Sequence, residues 1–364
     1  MCSYYTFPTT PTHTQTVTMT AENSKHSNVP KYLQKVKLTQ ENKQLIATLP
    51  CDVFGEPSYT FHQYDGFWQA TKNLQGILSS KKHFKAHDSN ILLVTLPKSG
   101  TTWLKALAYA ILNRKIYYPT NSNLDEKQSH PYPLLTANPN DLVPFLEINL
   151  YIYKNIPDLS LFPSPRLLVS HMPYISLPKS VQLSMYKIVY LCRNPNDKFT
   201  STWHFLKHLL PQGQQPRLVE ETFEGFCEGR IPFGPFWNHI LGYYKQSLER
   251  PNKVMFLPYE ELKIEPVRIL KNLAEFIRHG FTKEEEDGNV INDIVKLCCF
   301  ENLSNLEVNK IGKLLTGEEN SIYFRRGDVG DGENFLTSDM IEKLNFITQE
   351  KLEKNGLNFQ IHKS

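Results

Sequence analysis

A short segment near residue 100 combines a lysine, a glycine and three hydroxyl side chains, a set that can bind a phosphate group. The segment Pro97-Lys98-Ser99-Gly100-Thr101-Thr102-Trp103 follows the apolar run 91–96. Backbone N–H groups, hydroxyls and the positive end of a following helix attract an anion there, and Lys98 adds a full charge. The lysine precedes Ser-Gly and only one glycine is present, so the segment differs from the Walker A pattern. Simple helix capping by Ser-Gly-Thr is the alternative.

A second basic site is predicted where another strand ends. The run 187–192 is apolar enough for a buried strand, and Arg193 follows it directly. Ser201 lies near the start of the next predicted helix, so a guanidinium and a hydroxyl converge on a second anion. A plain ion pair of Arg193 with Asp197 is the alternative.

A third segment, 324–332, is rich in glycine and contains the adjacent arginines Arg325 and Arg326, followed by Gly327. Such a loop can fold over a bound phosphate, and a solvated charge run is the alternative. A P-loop kinase would need an acidic Mg²⁺ ligand at the end of a neighbouring strand, where this chain has Arg193. Two anion sites without a metal carboxylate therefore favour a ligand with phosphate at both ends and no metal.

One of the twelve histidines is placed for acid–base chemistry. His171 directly follows the apolar run 167–170, so we expect it at the carboxyl end of a strand, where α/β proteins build their sites. A hydrogen-bonded core histidine is the alternative.

The elements that position these residues follow an α/β pattern. Short aliphatic runs predict strands, and amphipathic spacing predicts helices between them. The predicted strands are 91–96, 166–170, 187–192 and 253–257, and 97–103 is a predicted strand-to-helix loop. The predicted helices are 104–113, 216–229, 235–250 and 260–279. A Pro- and Asn-rich stretch, 117–140, predicts a long loop. We expect one α/β domain with a central parallel β-sheet flanked by helices, and with the ligand at the carboxyl ends of the strands.

Composition excludes several classes of protein. The 364 residues carry 40 Lys+Arg against 37 Asp+Glu, which excludes a disordered chain and a polybasic nucleic-acid-binding arm. The chain has neither the ~18-residue apolar run of a membrane span nor a signal-peptide pattern, and its six cysteines contain no C-x-x-C, so we expect free thiols in the cytoplasm. Residues 1–30 are predicted to be a disordered tail, and residues 60–360 the folded domain.

Three of these segments together resemble the soluble sulfotransferases. The segments LPKSGTTWLKAL at 96–107, YLCRNPNDKFTSTWHF at 190–205 and FRRGDVGDG at 324–332 are similar to signature regions of that family and occur in its order. The segment CCFENLSNLEVNK at 298–310 is similar to the plant branch, which includes flavonol, hydroxyjasmonate and brassinosteroid sulfotransferases. The resemblance covers roughly residues 60–360 and implies the sulfotransferase fold, with 98–103 as its phosphosulfate loop.

The resemblance implies a donor, 3′-phosphoadenosine 5′-phosphosulfate (PAPS), and assigns the predicted anion sites to it. Lys98, Ser99, Gly100, Thr101, Thr102 and Trp103 would hold the 5′-phosphosulfate. Arg193, Ser201, Arg325, Arg326 and Gly327 would hold the 3′-phosphate. Trp103, Tyr259 and Phe300 match positions near the adenine.

The resemblance also implies catalytic roles. Sulfuryl transfer to an alcohol needs the acceptor hydroxyl deprotonated as it attacks, and the leaving oxygen stabilised as charge builds. His171 matches the family's catalytic histidine and is expected to be the general base. Lys98 is expected to stabilise the leaving oxygen, and Ser201 to restrain Lys98 until the acceptor binds. No metal is expected.

Some positions depart from the family pattern. Val169 stands where some branches carry a lysine, and Asn140 stands where many plant members carry a histidine. Gly332-Glu333 and Cys298-Cys299 also differ from the usual residues. These departures put acceptor preference and the strength of donor binding in doubt.

The acceptor is expected to be a small hydroxylated molecule, with a flavonoid or another phenol as the first candidate. The aromatic residues near the motifs would supply its pocket, although such residues are commonly core. They are Phe61, Tyr64, Phe67, Trp68, Tyr151, Tyr153, Phe233, Phe236 and Trp237. Steroid-like or jasmonate-like acceptors and a catalytically quiet nucleotide-binding protein remain the alternatives. A homodimer is possible, and no nucleic-acid or membrane partner is expected.

Overall fold

The computed structural model describes residues 30–54, 59–117, 132–154, 156–160, 162–210, 213 and 215–358. Seven strands form two sheets within these residues. The strands are β1 Cys51–Val53, β2 Thr60–Tyr64, β3 Phe67–Ala70, β4 Ile91–Thr95, β5 Leu167–Ser170, β6 Lys187–Cys192 and β7 Val254–Pro258. The predicted tail at 1–30 lies, except for Pro30, outside the described residues.

Helices surround the larger sheet. They are α1 Gln40–Ala47, α2 Thr71–His83, α3 Thr101–Tyr117, α4 Pro133–Thr136, α5 Pro139–Leu142, α6 Lys179–Leu183, α7 Pro195–Leu209, α8 Val219–Cys227, α9 Phe236–Glu249, α10 Tyr259–Ile264, α11 Pro266–Phe276, α12 Lys283–Asp287, α13 Val290–Leu297, α14 Phe300–Asn305, α15 Glu307–Ile311 and α16 Ser338–Lys351. Short 3₁₀ turns lie at Lys31–Leu33, Tyr174–Ser176, Asn320–Tyr323, Asp331–Asn334 and Glu353–Asn355, and a π-helical turn at Leu146–Leu150.

The central sheet is parallel, in the order β5-β4-β6-β7. All residues of β4 and β6 are buried, as the continuous apolar runs predict for strands covered on both faces. Successive side chains of β4 enter different cores: Leu92 and Val94 pack in one hydrophobic cluster, and Ile91 and Leu93 in the other. Helices therefore cover both faces of the sheet, and the predicted fold class is confirmed.

A second, antiparallel sheet precedes the central one. The strands β2 and β3 form a hairpin whose turn, Asp65-Gly66, has positive φ at both residues, as a type I′ turn requires. The Trp68 N–H donates to the carbonyl of Gly234 at 2.7 Å, and the Phe233 N–H donates to the carbonyl of Trp68 at 2.8 Å. These bonds fix the segment containing Phe233, which lines the central cavity.

Two predicted elements differ from the structure. The helix predicted over 260–279 is two helices, because Pro266 cannot continue a helix and instead begins α11. In the loop predicted at 117–140, residues 133–136 form α4 and residues 139–140 begin the short helix α5. Residues 118–131 of that stretch lie outside the described residues.

Candidate active site

The segment between β4 and α3 forms a tight loop that opens a helix. Lys98 and Gly100 both have left-handed backbones, with φ of 68° and 100°. A Cβ on Gly100 would lie 2.7 Å from the Tyr259 ring and 3.0 Å from Leu191. Glycine is therefore required both by the backbone angle and by the space. The loop directs the N-terminus of the 17-residue helix α3 into a cavity, as an anion-binding turn needs.

Lys98 lies against aromatic rings at the edge of this loop. Its Nζ is 4.1 Å from the centre of the Phe205 ring and donates to the carbonyl of Ile322 at 3.5 Å. Burial, with the positive charges of Arg193 and Arg325, lowers the pKa of Lys98 to about 7. A bound anion between these cations would restore the charge on Lys98, because an opposite charge favours the protonated amine.

Arg193 follows β6 and is 5% exposed. Its Nη2 donates to Asp197 Oδ2 at 3.3 Å and to the carbonyl of Asp328, and its guanidinium lies 4.6 Å from the centre of the Tyr259 ring. The ion pair with Asp197 considered from the sequence is therefore present. It does not satisfy the whole guanidinium, since Arg193 Nε has no hydrogen-bond partner among the described residues.

The C-terminal loop brings Arg325 and Arg326 to the same cavity as Arg193. Both arginines form ion pairs with Asp331. Gly327 has φ of 72°, its added Cβ would lie 2.5 Å from the Phe300 ring, and its carbonyl accepts a hydrogen bond from Tyr259 Oη at 2.7 Å.

Local contacts explain two departures from the family pattern, Gly332 in this C-terminal loop and Asn140 beside the phosphate loop. The Gly332 N–H donates to Asp197 Oδ1 at 2.7 Å, and a Cβ at this position would lie 2.6 Å from the carbonyl carbon of Asn196. Glycine is thus the residue that fits here, whereas Glu333 is exposed. Asn140 Nδ2 donates to Thr102 Oγ1 at 3.2 Å, so this amide orients a hydroxyl of the phosphate loop.

The polar groups of the site fit an anionic nucleotide. Among the residues that line the cavity, buried atoms without a hydrogen-bond partner in the described structure include Trp103 Nε1, Arg193 Nε and Arg325 Nε. Each of these atoms can donate a hydrogen bond, and buried donors are normally paired. The Trp103 and Tyr259 rings lie 5.4 Å apart, as aromatic neighbours for a planar base. A ligand with anionic and aromatic parts matches this set of donors and rings.

His171 follows β5 and reaches across to the end of β4. Its Nδ1 lies 2.6 Å from the carbonyl oxygen of Thr95. A carbonyl only accepts hydrogen bonds, so Nδ1 carries the proton and Nε2 keeps its lone pair. Burial, with nearby cations including Lys105, lowers the pKa of His171 to about 3. The imidazole is therefore neutral and is held in the tautomer that accepts a proton at Nε2.

The backbone at His171 is fixed by side chains that the sequence analysis missed. The buried Glu147 accepts the His171 N–H at 2.7 Å, and burial raises the pKa of Glu147 to about 7. His239 Nε2 lies 3.0 Å from the His171 carbonyl, and Tyr190 Oη lies 2.9 Å from His239 Nδ1. Tyr243 Oη donates to the carbonyl of Met172 at 2.8 Å. These contacts span 24 to 71 residues of sequence, and no local pattern marks them.

One cavity of about 910 Å³ joins the loop, the arginines and His171. Every residue predicted for the site lines it except Ser99, which is buried beneath the loop. The residues brought together are Lys98, Gly100, Thr101, Thr102, Trp103, His171, Arg193, Ser201, Tyr259, Phe300, Arg325, Arg326 and Gly327. The described contacts contain no hydrogen bond between Ser201 and Lys98, so the proposed restraint of Lys98 is not seen in this state.

The acceptor side of the cavity is apolar, but most of the aromatic residues predicted for it lie elsewhere. Tyr153 and Phe233 line the cavity, whereas the other seven predicted residues do not. Phe61, for example, stacks on Phe54 at 4.2 Å, and Phe236 is in the core. The apolar lining that the sequence analysis missed includes Phe145, Ile148, Phe162, Phe205, Leu206 and Leu209. The last three follow Ser201 at helical spacing on α7, which is the sequence pattern that would have identified them.

None of the helices described is both long and apolar enough to cross a membrane. The described part of the chain also contains no group of three or more His, Cys, Asp or Glu residues arranged to hold a metal ion.

Known proteins resemble this chain over most of its length. In Arabidopsis thaliana, cytosolic sulfotransferase 12 is 47% identical over 92% of this chain and 99% of its own length. Cytosolic sulfotransferase 15 is 42% identical over 93% of each chain. The names of both relatives agree with the cytoplasmic location expected from the cysteines.

Solved structures share the fold. A crystal structure of an Arabidopsis thaliana sulphotransferase has a TM-score of 0.68 at 40% identity, covering 90% of this chain and 99% of that one. Mouse sulfotransferase SULT7A1, solved with 3′-phosphoadenosine 5′-phosphate (PAP), has a TM-score of 0.62 at 23% identity, covering 81% and 95%. The sulfotransferase-domain family model matches residues 88–356. The chain belongs to the sulfotransferase family.

Proposed function

We propose that this protein transfers the sulfuryl group of PAPS to a hydroxyl of a small acceptor, with His171 as the general base. The observation that carries the proposal is the single cavity that contains the phosphate loop, the three arginines and a neutral histidine. Membership of the family supports the reaction. The mouse sulfotransferase and a retinol dehydratase of the same fold, both solved with PAP, support the choice of nucleotide.

The chain's own residues divide between the two ends of this donor. The N–H groups and hydroxyls of 99–103, with Lys98, would bind the 5′ end. Arg193, Arg325 and Arg326, with Ser201 and the backbone of Gly327, would bind the 3′-phosphate, because guanidinium groups bind phosphate oxygens with two parallel hydrogen bonds. Trp103, Tyr259 and Phe300 would contact the adenine. The donor supplies an activated sulfuryl group, and the protein supplies position and charge.

The catalytic roles follow from protonation. Neutral His171 accepts the acceptor's hydroxyl proton at Nε2, while Thr95 holds Nδ1 and so keeps the ring oriented. The protonated Lys98 amine lies beside the leaving oxygen and stabilises the charge that builds on it. Asn140 cannot titrate, so His171 is the base in this arrangement.

The acceptor that we propose is a phenol, with a flavonoid as the first candidate. The support is the apolar and aromatic lining beside His171, including Phe145 at 4.5 Å and Phe233 at 5.3 Å between ring centres. A steroid-like acceptor is the main competitor, because the Arabidopsis thaliana crystal structure is of a protein provisionally described as a steroid sulphotransferase. We propose that the protein works in the cytosol without a metal, and its assembly as a homodimer is open to measurement by light scattering.

Calorimetric titration with PAP tests the nucleotide, beside adenosine 5′-phosphate, which lacks the 3′ group. Both titrations are made with a chelator present. We expect PAP to bind much more tightly, because three arginines face the 3′ position. Equal binding of the two nucleotides would contradict the proposal. A labelled-donor assay over phenol, steroid and hydroxy-acid acceptors then tests transfer, and tight PAP binding without transfer would instead support a nucleotide-binding protein without catalytic activity.

A further inference from the structure

Lys198 is a cation of the cavity wall that the assignments above do not use. It lies on α7, is 1% exposed, and lines the cavity together with Ser201 and Thr202 one turn further along the helix. Its Nζ lies over two rings, 4.9 Å from the centre of Phe226 and 5.8 Å from that of Phe236. No carboxylate of the described chain forms an ion pair with it.

Contacts of Lys198 place it on the side of the histidines. The Phe236 ring under its Nζ lies one turn before His239 on α9, and His239 Nε2 is 3.0 Å from the His171 carbonyl. The charge of Lys198 also adds to the burial that lowers the pKa values of His171 and His239. Arg193 lies instead over the Tyr259 ring, so it and Lys198 contact different parts of the cavity wall.

A buried ammonium without a counter-charge is unstable. Burial lowers the pKa of Lys198 to about 7, so the amine loses much of its charge at neutral pH. An anion in the cavity would restore that charge and satisfy the amine. In the proposed function the phosphosulfate of PAPS is met by Lys98, and the acceptor's reacting hydroxyl is neutral before transfer. A second, charged group of the acceptor is therefore the anion left for Lys198.

We propose that Lys198 binds a carboxylate of the acceptor, so that the substrate class is a phenol that also carries a carboxylic acid. This inference rests on the proposed function and narrows its acceptor. One lysine among aromatic walls suits a single negative charge on an otherwise apolar molecule. The doubly charged 3′-phosphate is instead assigned to the three arginines Arg193, Arg325 and Arg326.

Direct binding tests the proposal without depending on turnover. Protein saturated with PAP is titrated with 3-(4-hydroxyphenyl)propionate and with its methyl ester, which lacks the negative charge and carries one additional methyl group. We expect the acid to bind about tenfold more tightly than the ester. Lys198→Met should remove this preference and Lys198→Arg should retain it. Lys207→Met removes an exposed lysine of the same helix and should bind both compounds as the unchanged protein does.

The outcomes separate this inference from the proposed function. Equal binding of acid and ester by the unchanged protein, or an acid preference that survives Lys198→Met, would overturn the role of Lys198. If the acid preference depends on Lys198 but labelled donor yields no sulfated product, the carboxylate site stands and the transfer proposal fails. A PAP affinity of Lys198→Met equal to that of the unchanged protein shows that the variant is folded.

Discussion

The His171 ring donates a hydrogen bond to the Thr95 carbonyl, and this single contact joins the ends of two adjacent strands. The Nδ1 to oxygen distance is 2.6 Å, and β4 and β5 are parallel neighbours in the sheet. Parallel pairing brings both carboxyl ends to one edge, which places the Thr95 carbonyl at the end of β4 within reach of the His171 ring. The sheet therefore sets the tautomer of the proposed base.

Replacing His171 by alanine should abolish transfer and leave nucleotide binding intact. General-base catalysis contributes about 10²- to 10⁴-fold, and the imidazole lies on the acceptor side of the cavity. We expect kcat to fall by about that factor, while the Kd for PAP from calorimetry changes little. His208→Ala, which removes an exposed histidine of α7, is the matched control. Near-normal turnover by His171→Ala would exclude the base assignment.

The Lys98 amine should take up a proton when the nucleotide binds. The pKa of Lys98 is about 7 in the free protein, and the bound anion raises it towards the ordinary value of 10.5. At pH 8 the free amine is mostly neutral and the bound amine is charged, so binding consumes nearly one proton. PAP affinity should accordingly weaken as pH rises above 7.

Calorimetry in buffers of different ionisation enthalpy measures this uptake. Lys98→Met should show none. Lys198→Met should still show it, because Lys198, whose pKa is also about 7, is assigned to the acceptor and not to the nucleotide. Binding of PAP with no proton uptake at pH 8 would mean that Lys98 does not contact the anion.

The sequence was most informative where one element ends and the next begins. Lys98, His171 and Arg193 each follow an apolar strand, and parallel strands end at one edge, so their convergence could be predicted. The four strands of the central sheet were predicted to within one residue at each end, because a buried strand is continuously apolar. The three strands of the antiparallel sheet were not predicted.

Long-range contacts could not be predicted in this way. Glu147 and His239 reach His171 from elements 24 and 68 residues away, and neither is marked by spacing or by a motif. The prediction of the residues that line the acceptor pocket was mostly wrong for a related reason. Aromatic residues near the motifs, such as Phe61 and Trp68, instead pack together on the small antiparallel sheet. Which aromatic residues face a cavity depends on the packing of whole elements.

Gly100→Ala should disable the phosphate loop. The added Cβ would meet the Tyr259 ring at 2.7 Å while the backbone has φ of 100°, so either the loop or the ring must move. We expect PAP affinity to fall by about tenfold or more, because a strained backbone of this kind costs about 1–3 kcal/mol. Gly66→Ala is the matched control, because it has φ of 81° and open space around it. An equal loss of affinity in both variants would assign the effect to general instability.

Arg193→Met should reduce the preference for the 3′-phosphate. Arg193 is buried and has an unpaired Nε, so its loss removes a charge-assisted hydrogen bond that water does not replace. The ratio of the PAP and adenosine 5′-phosphate affinities should fall by about tenfold or more. Arg268→Met changes an exposed arginine paired with Glu265, and it should leave the ratio unchanged. An unaltered ratio for Arg193→Met would remove Arg193 from the 3′-phosphate site.

Glu285→Ala should destabilise the fold without touching the cavity. Arg114 Nε and Nη2 donate to the two Glu285 carboxylate oxygens at 2.9 and 3.1 Å, and both side chains are almost fully buried. Removing the carboxylate leaves a buried guanidinium with only its bonds to the Ile111 and Gly280 carbonyls. Such losses cost about 3–5 kcal/mol.

Denaturant unfolding of Glu285→Ala measures this cost. The comparison is Glu224→Ala, which breaks the exposed pair with Lys343 and should cost about 0–1 kcal/mol. The large loss of stability should come from the Arg114–Glu285 pair, which joins α3 to α12. This pair holds the end of α3 that is far from the phosphate loop. Similar unfolding free energies for the two variants would show that the buried pair does not anchor this helix.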